Sequence, residues 1–212
     1  MTDGLSDATS LWREPAPLLL ASTSPTRRAL LEAVAIPVEA EAPGVDERAV
    51  EALPELAGAS PAALAGRLAA EKALSISRRR PDRLVLGADQ VLDLDGEVLH
   101  TPPDRAAAQA QIARLQGRTH RLTSAAALAR GGSLLAAVTD EARLTMRALE
   151  GDAVARYVDL AGDAATRSVG AYQIEGLGLH LFERVEGQHA TILGLPLLEL
   201  LAVLRRLGTL GL

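Results

Sequence analysis

Between Ser22 and Arg28 the chain reads Ser-Thr-Ser-Pro-Thr-Arg-Arg, so hydroxyls and a proline are followed at once by two guanidinium groups. Ser24 as an N-cap with Pro25 at the first helical position is a helix start. Such a start offers free N–H groups and the positive dipole end to an anion, and neighbouring arginines add planar forks for phosphate. The same residues also suit an ordinary capped helix with solvated arginines. Carboxylates supply the second element. Asp46 and Glu47 follow the Pro43–Gly44 turn, and Asp89 interrupts an apolar run, where an unpaired carboxylate is costly. Asp89 therefore needs a partner or a task, whereas loop acids such as Asp46 and Glu47 are ordinarily solvated. Two carboxylates converging on a phosphate seat would suit a hard divalent cation, and one could activate water. The third element is Lys72, because every other Lys-or-Arg position is arginine. Either chance placed it on a helix surface or the position requires a compact ammonium instead of a planar fork. His100, His120, His180 and His189 show no metal-ligand spacing, and no serine lies in a glycine-flanked nucleophile elbow.

The elements that must carry these groups follow from the apolar pattern. Leu18 to Ala21 reads as a strand, with a helix from Pro25 through Val34 and a second strand from Ile36 to Glu41. Ser60 and Pro61 open a helix that bears Lys72 and stops before Pro81. Leu84 to Leu94 reads as strand around Gly87-Ala88-Asp89-Gln90, and Asp104 to Leu115 as helix. His120 to Ala129 and Leu134 to Thr145 read as strands joined by Gly131 and Gly132. Glu150 to Leu160 is expected to be helical, Val169 to Ile174 and Leu179 to Phe182 to be strands, and Pro196 to Leu207 a closing amphipathic helix. The order predicts a mixed α/β fold with a mixed sheet, arranged as two lobes about a cleft.

Composition bounds the partners. The chain has 212 residues, 48% hydrophobic and 23% charged, which suits one folded domain over 1–212. The first fifteen residues carry Asp3, Asp7 and Glu14 against Arg13 and no apolar run, so they read as a loose extension and not as a signal peptide. A formal charge of -5 and an aromatic content of 2% argue against polymeric nucleic acid, which needs a basic surface or stacking platforms. No apolar stretch reaches the roughly 20 residues of a membrane span. Without cysteine there is no disulfide or thiolate centre, and a cytoplasmic location is the expectation.

Read together, Leu18 to Leu31 (LLLASTSPTRRALL), Val45-Asp46-Glu47, Ala70 to Ala73 (AEKA), Gly87 to Gln90 (GADQ), Gly170 to Gly176 (GAYQIEG) and Gly194 to Leu197 (GLPL) resemble the Maf family of nucleotide pyrophosphatases. The resemblance spans nearly the whole chain in order. It implies an elongated two-lobed fold similar to the inosine triphosphatase type, with the active cleft in the centre. It also implies hydrolysis of a nucleoside triphosphate to monophosphate and pyrophosphate with a divalent cation (Mg, Mn or Co), in a protein that is often a homodimer. By the same resemblance Asp89 is the catalytic acid position that accepts the proton of the attacking water, and Glu47 and Asp89 hold the metal. Ser24, Arg27 and Lys72 bind phosphate, and Thr26, Gln90 and Glu175 select the base. Gln90 and Glu175 resemble the branch acting on 7-methyl-GTP, where the dTTP/UTP branch has Thr and Gln. A carboxylate suits the donor edge of a guanine and the cationic methylated ring.

Some positions depart from the family pattern. Thr26 stands where the dTTP/UTP branch has Arg and the methyl-GTP branch tends to an aromatic. The family's Gly-Lys-Pro is His100-Thr101-Pro102, so a phosphate lysine is missing, with Arg105 or Arg118 as its expected substitute. Its Lys-Ala-Gly is Ser168-Val169-Gly170, and its Asn before Gly-Leu-Pro-Leu is Thr191. The alternatives are a dTTP/UTP pyrophosphatase of the same family, or a nucleotide-binding septum-formation regulator with weak activity.

Overall fold

A computed structural model describes residues 11–211. The apolar run Leu18–Ala21 is β1, buried along its whole length as a strand covered on both faces must be. Ser24 then caps α1 (Pro25–Ala33) by accepting from the Arg27 N–H, with Pro25 opening the helix. After β2 (Val38–Ala40), Asp46 caps the short α2 (Glu47–Glu51), accepting from the Ala49 N–H. Ser60 caps α3 (Pro61–Ser77) in the same way through Ala63. Strand β3 (Val85–Leu94) runs unbroken through Gly87–Gln90 and turns back as β4 (Glu97–Leu99). Asp104 caps α4 (Arg105–Leu115). The long hairpin β5 (Thr119–Arg130) and β6 (Ser133–Met146) follows, then α5 (Ala153–Ala161), β7 (Phe182–Glu186), the single-turn α6 (His189–Ile192) and α7 (Leu197–Arg206).

The strands form a seven-stranded mixed sheet in the order β2-β1-β3-β5-β6-β7, with β4 also on β3. Strands β2, β1 and β3 are parallel neighbours, and all other pairs are antiparallel. Alternation along β1, β3 and β5 divides the burial between the two faces. Leu19, Val85, Ala125, Ala127 and Ala129 meet the alanine stripe Ala65, Ala69 and Ala73 of α3. Leu18, Leu20, Leu86 and Leu128 meet α1 and α7 through Leu31, Leu200 and Leu204. Farther along β3 and β5, Leu92 and Leu122 join Leu144 of β6 and Ile112, Val158 and Leu181 in another cluster.

One gap in this pairing matters for function. β1 pairs with β3 from Val85 to Gly87, and β4 pairs on the same side only from Leu92 to Leu94. Among the described residues, β3 has no strand neighbour on that side from Ala88 to Val91, and the edge of the sheet is open there.

Several expectations need correction. Residues 1–10 of the expected loose extension lie outside the described residues, but its end is fastened. Trp12 is buried, donates from its indole to the Ala16 carbonyl and bridges to Leu210, which closes the C-terminal end of the fold. The expected strand Val169 to Ile174 is instead a 3-10 turn at Val169–Ala171, and Leu179 belongs to another at Leu177–Leu181, with only Phe182 entering β7. Gly170 and Ala171 take φ of 81° and 60°, in the left-handed region no strand can use. The N–H groups of Gly176 and Gly178 both donate to the Gln173 carbonyl, which folds the chain back on itself. No helix among the described residues is long and apolar enough to cross a membrane.

Candidate active site

The site is assembled by the contact of α3 with β3. Gly87 and Asp89, two apart on a strand, face the same side, toward α3. A Cβ on Gly87 would lie 2.1 Å from the Ala69 carbonyl oxygen and 2.6 Å from the Ala73 nitrogen, so the helix backbone rests directly on the strand. Any side chain larger than hydrogen would force α3 away. At this separation Lys72 donates from Nζ to Asp89 Oδ1 at 2.5 Å, with both groups buried. Glu47, the first residue of α2, places Oε1 2.6 Å from the same Nζ. The partner that Asp89 requires is therefore the sole lysine, and the Asp89 and Glu47 carboxylates converge on one cation. Burial raises the Asp89 pKa above the ordinary carboxylate value, while Lys72 and then Arg27 pull it back.

On the other side of this cluster lies the turn between β1 and α1. Ser22 Oγ accepts from the Ser24 N–H at 3.2 Å, and Ser24 Oγ from the Arg27 N–H at 3.3 Å. The Arg27 side chain returns over the turn, donating from Nε to the Gly194 carbonyl at 2.8 Å. Gly194 has φ of 97°, and a Cβ there would approach Arg27 Nε to 3.3 Å, so glycine serves both the backbone and the arginine. Desolvation lowers the Arg27 pKa, and the facing charges of Asp89 and Glu47 oppose that shift.

Both groups open into one cleft of about 830 Å³ at the bare edge of β3. Ser24, Thr26, Arg27, Glu47, Lys72, Asp89, Gln90 and Glu175 all line it. Thr101, where the family's lysine is missing, lines it too and brings no charge. Asp89 and Gln90, adjacent on a strand, point to opposite faces of the sheet, and the open edge lets one cavity reach both. Gln90 is itself engaged: its amide nitrogen donates to the Thr191 and Ile192 carbonyls at 3.0 Å each and to Ser124 Oγ at 3.2 Å. It thereby ties β3 to α6, whose following residue pair leads to Gly194 beneath Arg27. Thr191 is fully buried and donates from its hydroxyl to Asp140 at 2.6 Å, so it supports this turn from behind.

The far wall comes from residues 167–175. Tyr172, nearly buried, shares a 2.6 Å hydrogen bond between its hydroxyl and His120 Nε2 and packs edge-on against Phe182 at 4.8 Å between centroids. Ser168 donates to the Tyr172 carbonyl and Tyr157 to the Ala171 carbonyl, which pins the left-handed turn. Burial depresses the His120 pKa to about 4, so the imidazole is neutral at physiological pH. Glu175 stands exposed at the rim. Sequence reasoning did not single out Tyr172, Gln173 or Arg167, which share this wall; their position depends on an irregular turn that no periodic pattern announces. Neither arginine expected to replace the missing lysine reaches the cleft. Arg118 pairs with Asp95 across the β3–β4 turn, and Arg105 lies 4.0 Å from Asp159 at the surface. Asp46 is spent as the cap of α2.

The donor set bears on a divalent cation. Among the described residues no cluster of three or more His, Cys, Asp or Glu side chains could hold one alone. Asp89 Oδ1 and Glu47 Oε1 are held by Lys72 Nζ, so the second oxygens of the same two carboxylates, in one cleft with the Ser24–Arg27 turn, are what remains for a cation. That set fits a magnesium-like ion shared with substrate phosphates and water, which needs only one or two protein carboxylates.

A family profile described as Maf-like protein matches residues 17–207. The chain belongs to the Maf family. It is 50% identical over 196 residues to a protein of Nitrobacter winogradskyi named nucleoside triphosphate pyrophosphatase, covering 92% of this chain and 96% of that one. It is 51% identical over 197 residues to a protein of the same name from Rhodopseudomonas palustris, covering 93% and 96%. A protein of Rhizobium etli named 7-methyl-GTP pyrophosphatase is 50% identical over 192 residues, covering 91% and 96%. The mixed sheet and flanking helices agree with the Maf-like fold that the sequence led us to expect.

Proposed function

We propose that this Maf protein is a nucleoside triphosphate pyrophosphatase that cleaves the bond between the α and β phosphates, with 7-methyl-GTP as its preferred substrate. The observation that carries the reading is the buried Lys72–Asp89 pair, joined by Glu47, facing the Ser24–Arg27 helix start across one cleft. Water held by Asp89 attacks the α-phosphorus in line, and Asp89 takes its proton. The bond from the α-phosphorus to the bridging oxygen breaks, and the electron pair leaves with pyrophosphate. Arg27 and Lys72 stabilise the charge that develops there. Burial raises the Asp89 pKa and so makes it a better base than a solvated carboxylate, while the Lys72 ammonium pulls in the opposite direction and favours the ionised form. Glu47 and Asp89 would hold the divalent cation, which when bound neutralises phosphate charge. Glu175 at the rim accepts hydrogen bonds from the donor edge of guanine, and its charge favours the cationic 7-methylated ring. Gln90 acts on base choice through its anchorage of α6. The names of relatives support the reaction class, and two of them name the methylated substrate.

Pyrophosphate release measured over 7-methyl-GTP, GTP, dTTP and UTP with Mg, Mn or Co tests the proposal. The expected result is highest kcat/KM on 7-methyl-GTP, a shift away from it in Glu175→Gln combined with Gln90→Thr, and no release by Asp89→Ala. Preference for dTTP or UTP would retain the reaction class and reject the base assignment. Binding of a nucleotide with no hydrolysis of any would reject the enzyme reading in favour of a regulator.

A further inference from the structure

We propose that Arg167 captures the polyphosphate tail, taking the β and γ phosphates at the rim of the cleft; this rests on the pyrophosphatase reading above. The charges of the cleft make such a residue necessary. Arg27, Lys72 and Arg167 line the cavity against Glu47, Asp89 and Glu175, so cations and carboxylates there are equal in number. The other two cations, which face the leaving group in the mechanism above, each hold protein partners as well. Lys72 is held between Asp89 and Glu47, and Arg27 is bonded to the Gly194 carbonyl. Arg167 is the cation of the lining with only a loose partner: its guanidinium is 3.8 Å from Asp163, with side-chain exposures of 69% and 82%. An exposed pair of this kind contributes little, so the guanidinium exchanges Asp163 for a phosphate at small cost. Nor can the tail go elsewhere. The adjoining hollow of about 370 Å³ beyond Asp89 is lined by Asp46, Glu47, Glu51 and Asp89 against Arg48 and His100, and it repels anions. The tail must remain in the main cleft, where Arg167 supplies a planar fork suited to phosphate oxygens.

The test uses inorganic pyrophosphate and a nucleoside monophosphate as separate probes with the full chain. Calorimetry should show pyrophosphate binding weakened roughly tenfold in Arg167→Ala, in line with loss of one charge-assisted contact at an exposed site. Arg167→Lys should recover most of it, and monophosphate binding should not change. Arg105→Ala, which removes an equal charge outside the cleft, should leave both unchanged. In turnover, the variant should raise KM for the triphosphate with kcat nearly constant, and the salt dependence of KM should become shallower. Equal pyrophosphate affinity in wild type and Arg167→Ala, or an equal loss for monophosphate and pyrophosphate, overturns the assignment. Because pyrophosphate binding needs no turnover, these results are distinct from failure of the hydrolysis screen, which would reject the parent reading.

Discussion

The two walls of the cleft are built on different principles. The acid wall hangs on regular elements: Asp89 in the middle of β3, Lys72 in the middle of α3, and a helix–strand contact close enough to exclude any Cβ at Gly87. The base wall is an irregular loop, held by single hydrogen bonds from Ser168, Tyr157 and His120 and by two successive left-handed residues. On the proposed function, the chemistry rests on packing that cannot slide, while selection of the base rests on a turn that small changes can reshape. Substrate preference can diverge within such a family while the reaction remains the same.

The largest expected effect attacks the acid wall. Asp89→Asn keeps the shape and removes the base, and kcat should fall on the order of 10³-fold with little change in the far-ultraviolet circular dichroism. In wild type, the acid limb of the kcat/KM profile should lie above the pH where a solvated aspartate titrates, since burial raises the Asp89 pKa. Next comes Gly87→Ala, which overpacks α3 against β3. A loss of about 3 kcal/mol in urea denaturation is expected, with activity falling further as Lys72 moves off Asp89; an unchanged midpoint would show that the helix has room to retreat.

The base wall should answer to acid instead. The His120 pKa is depressed to about 4 when folded, against 6.5 when unfolded. The unfolded chain therefore binds more protons between those values, so stability falls as pH drops through that window. The loss at the lower end is roughly 3 kcal/mol, and His120→Gln should remove most of that acid sensitivity in denaturation curves compared at pH 7 and pH 5. The smallest effect is expected at Ala171. Ala171→Gly relieves a left-handed φ but gains freedom when unfolded, so stability should move by less than about 1 kcal/mol. A changed ratio of 7-methyl-GTP to GTP turnover in that variant would reveal how closely the loop controls the base.

The same division explains what could be read from the sequence. Ser24, Pro25, Ser60 and Pro61 announced α1 and α3 because capping is a local interaction. Asp89 stood out because a carboxylate inside Leu84–Leu94 violates the apolar pattern, and Lys72 stood out as the sole lysine. Their pairing could only be suggested through the family likeness, since it depends on how closely α3 approaches β3. The stretch from Arg167 to Leu181 misled. Tyr172 and Ile174, two apart, are both buried as the inner face of a strand would be, yet Gly170, Ala171 and the double donation to the Gln173 carbonyl wind the stretch into turns. Alternation reports which side chains are buried, and a pinned turn can bury the same ones. Arg167 was passed over for Arg105 and Arg118 because nothing local tells which exposed arginine borders a cavity.

Asp93 is almost wholly enclosed in β3, directly opposite Arg121 in the pairing with β5, and Arg121 donates to it from Nε at 2.9 Å. This ion pair works as a register pin. Were β3 to slip by one place, Asp89 would turn toward α6 and Gln90 toward Lys72, leaving the ammonium with an amide and the α6 carbonyls with an acid. On the proposed function, a clamp outside the cleft thus sets which side of the sheet is corrosive to phosphoanhydrides and which merely recognises.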